Sequence, residues 1–183
     1  MFMTDRPDRT KSQKITIKYP AMLESKVASL TMKAPKVQHW MEAAKLYDDT
    51  FDHDTNVIAH LCDVTPQEIA NLHIADSQAV HEAYQFFKLS DKERESEIEA
   101  AMVAPGDQPY RVDLWYPLKD EKSLTLRVPR GSDSISAGRN GSNPAESELW
   151  LFSSLTEREE ELLHQLYIAD YLRLQCGYAG FLA

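Results

Sequence analysis

The stretch Leu72-His73-Ile74-Ala75-Asp76 returns as Leu166-Tyr167-Ile168-Ala169-Asp170, a shift of 94 positions. The same shift maps Leu61 onto Leu155, Tyr84 onto Tyr178 and Phe87 onto Phe181. Upstream it maps Leu30, Thr31, Lys33 and Pro35 onto Leu124, Thr125, Arg127 and Pro129. The segment from Ile15 to Pro20 answers to that from Val112 to Pro117 at a shift of 97, so three residues are missing from the connection after the second Tyr-Pro pair. Matches over roughly seventy residues at near-constant spacing mark an internal duplication, and a connection is where a short deletion is tolerated.

Each copy opens with alternation. Ile15 and Ile17 share one face before Tyr19-Pro20, then Leu30 and Met32 before Pro35; the second copy repeats this with Val112 and Leu114, then Leu124 and Leu126. Such pairs predict a β-hairpin closed by prolines that cannot continue a ladder. The four strands either join in one sheet or lie as two hairpins on their own helices. The period then turns helical: Val37, Trp40, Met41, Ala44 and Tyr47 fit one helix face, and Val57, Ile58 and Leu61 a second. Thr65-Pro66-Gln67-Glu68 has the form of a capping box with proline at the first helical position, and Thr156 to Glu159 is expected to cap its counterpart. Asp76 and Asp170 are expected to cap the last helix of each copy, which leaves little reason to read them as acid/base residues. Ser90 and Glu93 predict a further capped, mostly solvated helix with Ile98 and Met102 as a thin apolar edge.

The expected fold is therefore α+β: two pseudo-repeats, each a β-hairpin followed by short helices, joined by a connecting helix. The expected divisions are a flexible basic tail over 1–14, a first repeat over 15–88, a helical linker over 89–110 and a second, diverged repeat over 111–183. Arg6, Arg9, Lys11 and Lys14 make the tail locally basic in a chain whose formal net charge is −9. That acidity argues against nucleic acid as partner, since phosphate binding needs a basic face. No apolar run suits a membrane span or a signal peptide.

The copies also disagree. Residues 131–148, opposite the first helix of copy one, are dense in glycine, serine and asparagine and predict a loop in place of a helix. Meanwhile Thr55 and Asn56 become Leu149 and Trp150, and Ser77, Gln78 and Glu82 become Tyr171, Leu172 and Cys176. Extra apolar surface beside a missing helix needs a cover. Copy one or the connecting helix could supply it; otherwise Leu149, Trp150, Tyr171 and Leu172 form a partner-binding surface, for another protein or a second subunit.

Motifs for catalysis, cofactor or metal binding do not emerge. His60 and Cys62 lie two apart on a helix and face different sides, and Asp48 to Asp54 lacks the glycine and glutamate of a calcium loop. Residues 136–143 have the small side chains of a phosphate loop without its lysine, so a flexible linker is expected there. Cys62 and Cys176 read as buried free thiols. An enzyme would need convergent polar groups, and only capping carboxylates and scattered histidines are offered.

Taken together, Tyr19-Pro20, the Leu30-Thr31-Met32-Lys33-Ala34-Pro35 strand, the run from Leu61 to Asp76, and in copy two Thr125-Leu126-Arg127-Val128-Pro129 and Ala169-Asp170-Tyr171-Leu172 resemble the tail assembly chaperones of long-tailed bacteriophages, the E and gp41-like group of P2-like and Mu-like phages. One copy resembles a typical member almost end to end, so the chain looks like a tandem form. The resemblance implies a chaperone in the host cytoplasm that binds the tape-measure protein, helps recruit the tail-tube protein and is absent from the finished tail. It carries no catalytic residues and leaves a homo-oligomer open. A structural tail component or a phage regulatory binding protein is the competing expectation, with an enzyme behind both.

Overall fold

A computed structural model describes residues 6–20, 23–24, 26–46, 50–104, 106–118 and 121–183. It is an α+β structure of two repeat-like halves, each beginning with a β-hairpin. The first half runs β1 (Gln13–Thr16), β2 (Ser29–Met32), α1 (Val37–Leu46), α2 (His53–Cys62), α3 (Pro66–Ala70) and α4 (Ile74–Phe87). Helix α5 (Asp91–Val103) follows, then β3 (Tyr110–Leu118), β4 (Glu121–Leu126), α6 (Gly131–Asn140), α7 (Pro144–Thr156), α8 (Glu160–His164) and α9 (Ile168–Gly180).

The chain divides into two compact units, one of Met1–Pro35 with Glu42–Phe87, the other of Lys36–Met41 with Lys88–Ala183. Each hairpin is a sheet of its own. In the first unit Ile15 pairs with Leu30 and Gln13 with Met32; in the second Val112 pairs with Leu124 and Tyr110 with Leu126. The aliphatic alternation sets both registers, because a slip of one residue would turn buried Ile15, Leu30, Val112 and Leu124 to solvent. A two-stranded sheet is weak alone, and each is backed by its helices: α2 and α4 in the first unit, α7 and α9 in the second.

The pseudo-symmetry reaches single hydrogen bonds. Past the second strand, the Lys33 N–H donates to the Leu61 carbonyl at 3.1 Å, and the Arg127 N–H to the Leu155 carbonyl at 2.9 Å. Asp63 and Glu157, each just after a helix, both adopt left-handed backbone with φ of 54°. Helices α3 and α8 begin at equivalent positions, so the residue matching Thr65 is Glu159 and not Thr156. The expected capping box is present at Thr65–Glu68, as is that at Ser90–Glu93. Thr156 instead ends α7, where its hydroxyl donates to the Phe152 carbonyl at 2.7 Å.

Two further expectations are corrected. Copy two has kept its helix: α6 stands where a loop and linker were expected, across residues 131–140. Serine and glycine are poor helix formers, but local contacts override that preference. Arg127 forks onto Asp133 at 2.8 and 2.9 Å, the Asp133 carboxylate also takes the Arg130 N–H at 2.7 Å, and Ala137 is buried. Gly141, next in the chain, lies against Ser147 so closely that a Cβ there would meet its backbone nitrogen at 2.2 Å. In the tail, Arg9 is buried and its Nε donates to the Phe86 carbonyl at 2.7 Å, while Gln13 and Lys14 pair in β1. Those residues do not behave as a solvated arm; residues 1–5, like Tyr47, lie outside the described residues.

Helix α9 is the centre of the second unit. Ile168, Ala169, Tyr171, Leu172, Leu174 and Cys176 are all buried, so it is enclosed on most sides instead of showing one apolar stripe. Helix α5 lies along it, with Glu97 ion-paired to Arg173 at 2.9 Å and accepting one hydrogen bond from it at 3.0 Å. Gly180 makes this close approach feasible, since a Cβ there would lie 2.6 Å from that of Ala101. Ile98 packs on the core, but Met102, the other half of the expected apolar edge, is exposed. Among the described residues no helix is long and apolar enough to cross a membrane.

Candidate partner-binding site

The repeated aspartates are not caps. Asp76 and Asp170 are each the third residue of their helix, and both are fully buried. Asp76 accepts the backbone N–H groups of Lys18 and Tyr19 at 2.8 and 2.9 Å. Asp170 accepts those of Trp115 and Tyr116 at 2.7 and 2.9 Å. In both copies the chain leaves the ladder at this point, at the end of β1 and at the irregularity between Asp113 and Leu118 in β3. Two adjacent N–H groups lose their strand partner, and a carboxylate from the helix below satisfies both. The Arg173 guanidinium, 3.8 Å from Asp170 and 4.8 Å above the Trp115 ring, also donates to the Asp113 carbonyl. These carboxylates are structural fasteners between strand and helix.

The divergent residues of copy two have found covers. Leu149, Tyr171 and Leu172 are buried in the core of the second unit, and Trp150 packs against it only partly buried. Tyr171 meets Trp40 and Phe152 edge-on, with ring centres at 6.3 and 5.5 Å. Burial, with Glu148 beside it, raises the Tyr171 phenol well above its ordinary range. The cover over α9 comes from α5 and from Lys36–Met41, the start of α1, which belongs to this unit. Lys36 bridges to Tyr167, the Val37 N–H donates to the Leu166 carbonyl at 3.0 Å, and the Lys36 ammonium stands 5.2 Å over the Tyr167 ring. In the free chain, then, Leu149, Tyr171 and Leu172 are packing residues; of the expected surface only Trp150 keeps an open side.

What the second unit does present is a cleft of about 520 Å³ between α6, α7 and α9, lined by Ala137, Leu151, Phe152 and Tyr178, with Arg94, Glu148 and Gln175 among its polar groups. Gln175 donates to Glu148 at 2.6 Å, which fixes one wall. An apolar lining with a few polar groups suits the side chains of a protein partner. The sequence conceals this cleft because the glycine and serine of α6 point to a loop; Ser134, Ala137 and Gly138, four or fewer positions apart, are the available helical signal. Burial pushes the Cys62 thiol up to about 12 and raises Cys176, so neither is a nucleophile at neutral pH. Among the described residues no three His, Cys, Asp or Glu side chains lie close enough to hold a metal ion.

The hairpin-on-helices plan, built twice, defines a protein made of two repeats of one α+β unit. This chain belongs to the family described as phage tail assembly chaperone proteins, E, or 41 or 14, which matches it twice, over residues 14–88 and 118–183. The tandem form expected from the echo at 72–76 and 166–170 is thereby established. Neither a curated protein nor a solved structure matches the chain.

Proposed function

We infer that this chaperone binds the tape-measure protein of a long-tailed phage in the host cytoplasm, keeps its apolar helix from aggregating, and assists tail-tube assembly before leaving the particle. The observation that carries the reading is the family match over both repeats, together with the open apolar cleft beside α6. An amphipathic helix commonly enters such a groove by a few aromatic or aliphatic side chains, and Leu151, Phe152 and Tyr178 supply apolar walls for them. Trp150 extends the contact at its open side, while Leu149, Tyr171 and Leu172 hold the groove in shape from beneath. The working divisions are the two repeats 15–88 and 111–183, preceded by residues 1–14 and connected through 89–110. No catalytic step, cofactor or nucleic acid enters this reading.

Co-expression with the tape-measure protein of the same phage tests it. The chain should co-purify with that protein, appear in tail-assembly intermediates and be missing from purified particles. Its presence in finished particles would make it a structural tail component.

A further inference from the structure

The duplication gives the chain two equivalent seats and one plug. In the second unit the seat is Leu166, Tyr167 and Ile168 with Tyr116 beside them, and Lys36–Met41 occupies it: a basic residue over the Tyr167 ring, a main-chain bond to Leu166, and Val37 and Trp40 seated on the helix that follows. Tyr116 and Tyr167 meet edge-on at 5.6 Å, and Ile168 is 0 % exposed. The equivalent seat in the first unit is Leu72, His73 and Ile74 with Tyr19. Here Tyr19 and His73 stack at 3.9 Å, but Tyr19 is 46 % and Ile74 68 % exposed. Among the described residues no backbone N–H outside the helices and strands is donated to the Leu72 carbonyl as Val37's is to Leu166. Among the described residues there is no second plug of the same kind. The residues matching Lys36, Val37, Trp40 and Met41 are Arg130, Gly131, Ser134 and Ile135, and their helix is committed to α7 through Ala137 and the Arg127–Asp133 pair.

We propose that the Tyr19–His73–Ile74 face of the first unit is a docking site for a partner protein's helix that is entered by a basic residue followed at once by an aliphatic one, the form of Lys36-Val37. The partner's backbone N–H bonds to the Leu72 carbonyl, its aliphatic side chain covers Ile74, and its cation takes the place of Lys36 over the stacked His73 and Tyr19 rings, His73 standing where Tyr167 does. Ser77 stands where Tyr171 grips Trp40, so the fifth position of the incoming segment, counted from its basic residue, contributes less here than in the occupied seat. The net charge of −9 favours a basic segment over an acidic one. This site is separate from the cleft beside α6 and does not depend on the identity of the partner that enters that cleft.

A labelled peptide with the sequence of residues 35–46 is the probe, titrated into the full-length chain by fluorescence anisotropy. Saturable binding is expected, weakened about tenfold or more by Ile74→Asp and by Tyr19→Ala, both at exposed side chains, and unaffected by Met102→Asp. The peptide carrying Val37→Asp should not bind. Each variant's circular dichroism and melting temperature are checked against the parent. Absence of binding, or binding indifferent to Ile74→Asp because the peptide has displaced its own counterpart in the second unit, would overturn the proposal. So would a dimer, by sedimentation, that Ile74→Asp dissociates, since a second copy would then be the occupant.

Discussion

Asp170 accepts the backbone N–H of Tyr116 at 2.9 Å across 54 positions of sequence, and Asp76 does the same for Tyr19 at 2.9 Å across 57. The repeated pentapeptide thus exists because each copy must fasten a strand end to the start of its last helix. Hydrogen bonds to a buried charge are worth about 1.5–3 kcal/mol, and removing one partner strands the others. Asp170→Ala is expected to cost about 3–5 kcal/mol, and Asp170→Asn less, since the amide oxygen still accepts one bond. Chemical denaturation of the two variants checks the order; equal midpoints would remove the fastener role.

The same reasoning makes the letters of the two copies non-interchangeable. Tyr171 fills space between Trp40 and Phe152, whereas its counterpart Ser77 is small and half-buried. Replacing Tyr171 by serine should destabilise the second unit by about 3–5 kcal/mol through the cavity alone. Ser77→Tyr, on a half-buried face, should change stability by less than about 1 kcal/mol. Thermal melts of both variants decide whether the gained apolar residues are core, and an unaltered melt for Tyr171→Ser would return them to the list of surface contacts.

Much of the fold was legible in the sequence because two signals agreed. Period-two alternation placed Ile15, Leu30, Val112 and Leu124, and the Thr65–Glu68 and Ser90–Glu93 boxes placed helix starts that the structure keeps. Where the reading failed, the deciding interaction was distant in sequence. Helix α6 has weak intrinsic propensity and is held by Arg127 and by burial of Ala137, neither visible in a composition window. The aspartates looked like caps because they sit at helix starts; their partners lie more than fifty residues upstream. The cleft beside α6 is hidden in the sequence for the same reason, since without that helix it has no wall.

Protonation of Asp133 should loosen α6 before the rest of the fold. The Arg127 guanidinium, aided by the Arg130 N–H, holds the Asp133 carboxyl down at about 2, below the usual carboxylate range. A depressed folded value means the pair stabilises above the unfolded value of about 4, and that contribution, about 2 kcal/mol at most, is lost as pH falls toward 2. Protection from amide exchange over residues 131–140, taken relative to the intrinsic rate at each pH, should therefore fall between pH 4 and 2 in the parent. Asp133→Asn should show the low protection at every pH; a parent profile that parallels the variant's would mean the pair does not hold the helix.

The two thiols report on the cores of the two units separately. Cys62 lies in α2 of the first unit and Cys176 in α9 of the second, both buried, with the Cys62 thiol pushed up to about 12 by burial. At pH 8 neither should react with an aromatic disulfide reagent in the native protein, because little thiolate exists and no reagent reaches it. With denaturant added, the two should become reactive as their units open. In Cys62→Ala the remaining thiol follows the second unit, and Tyr171→Ser should move that transition to lower denaturant. In Cys176→Ala the Cys62 thiol follows the first unit, whose own fastener is Asp76, so Asp76→Asn should advance it. Fast labelling of Cys176 in the native chain would mean that α9 is less enclosed than its neighbours Leu172 and Leu174 indicate, and would reopen that helix as a binding surface.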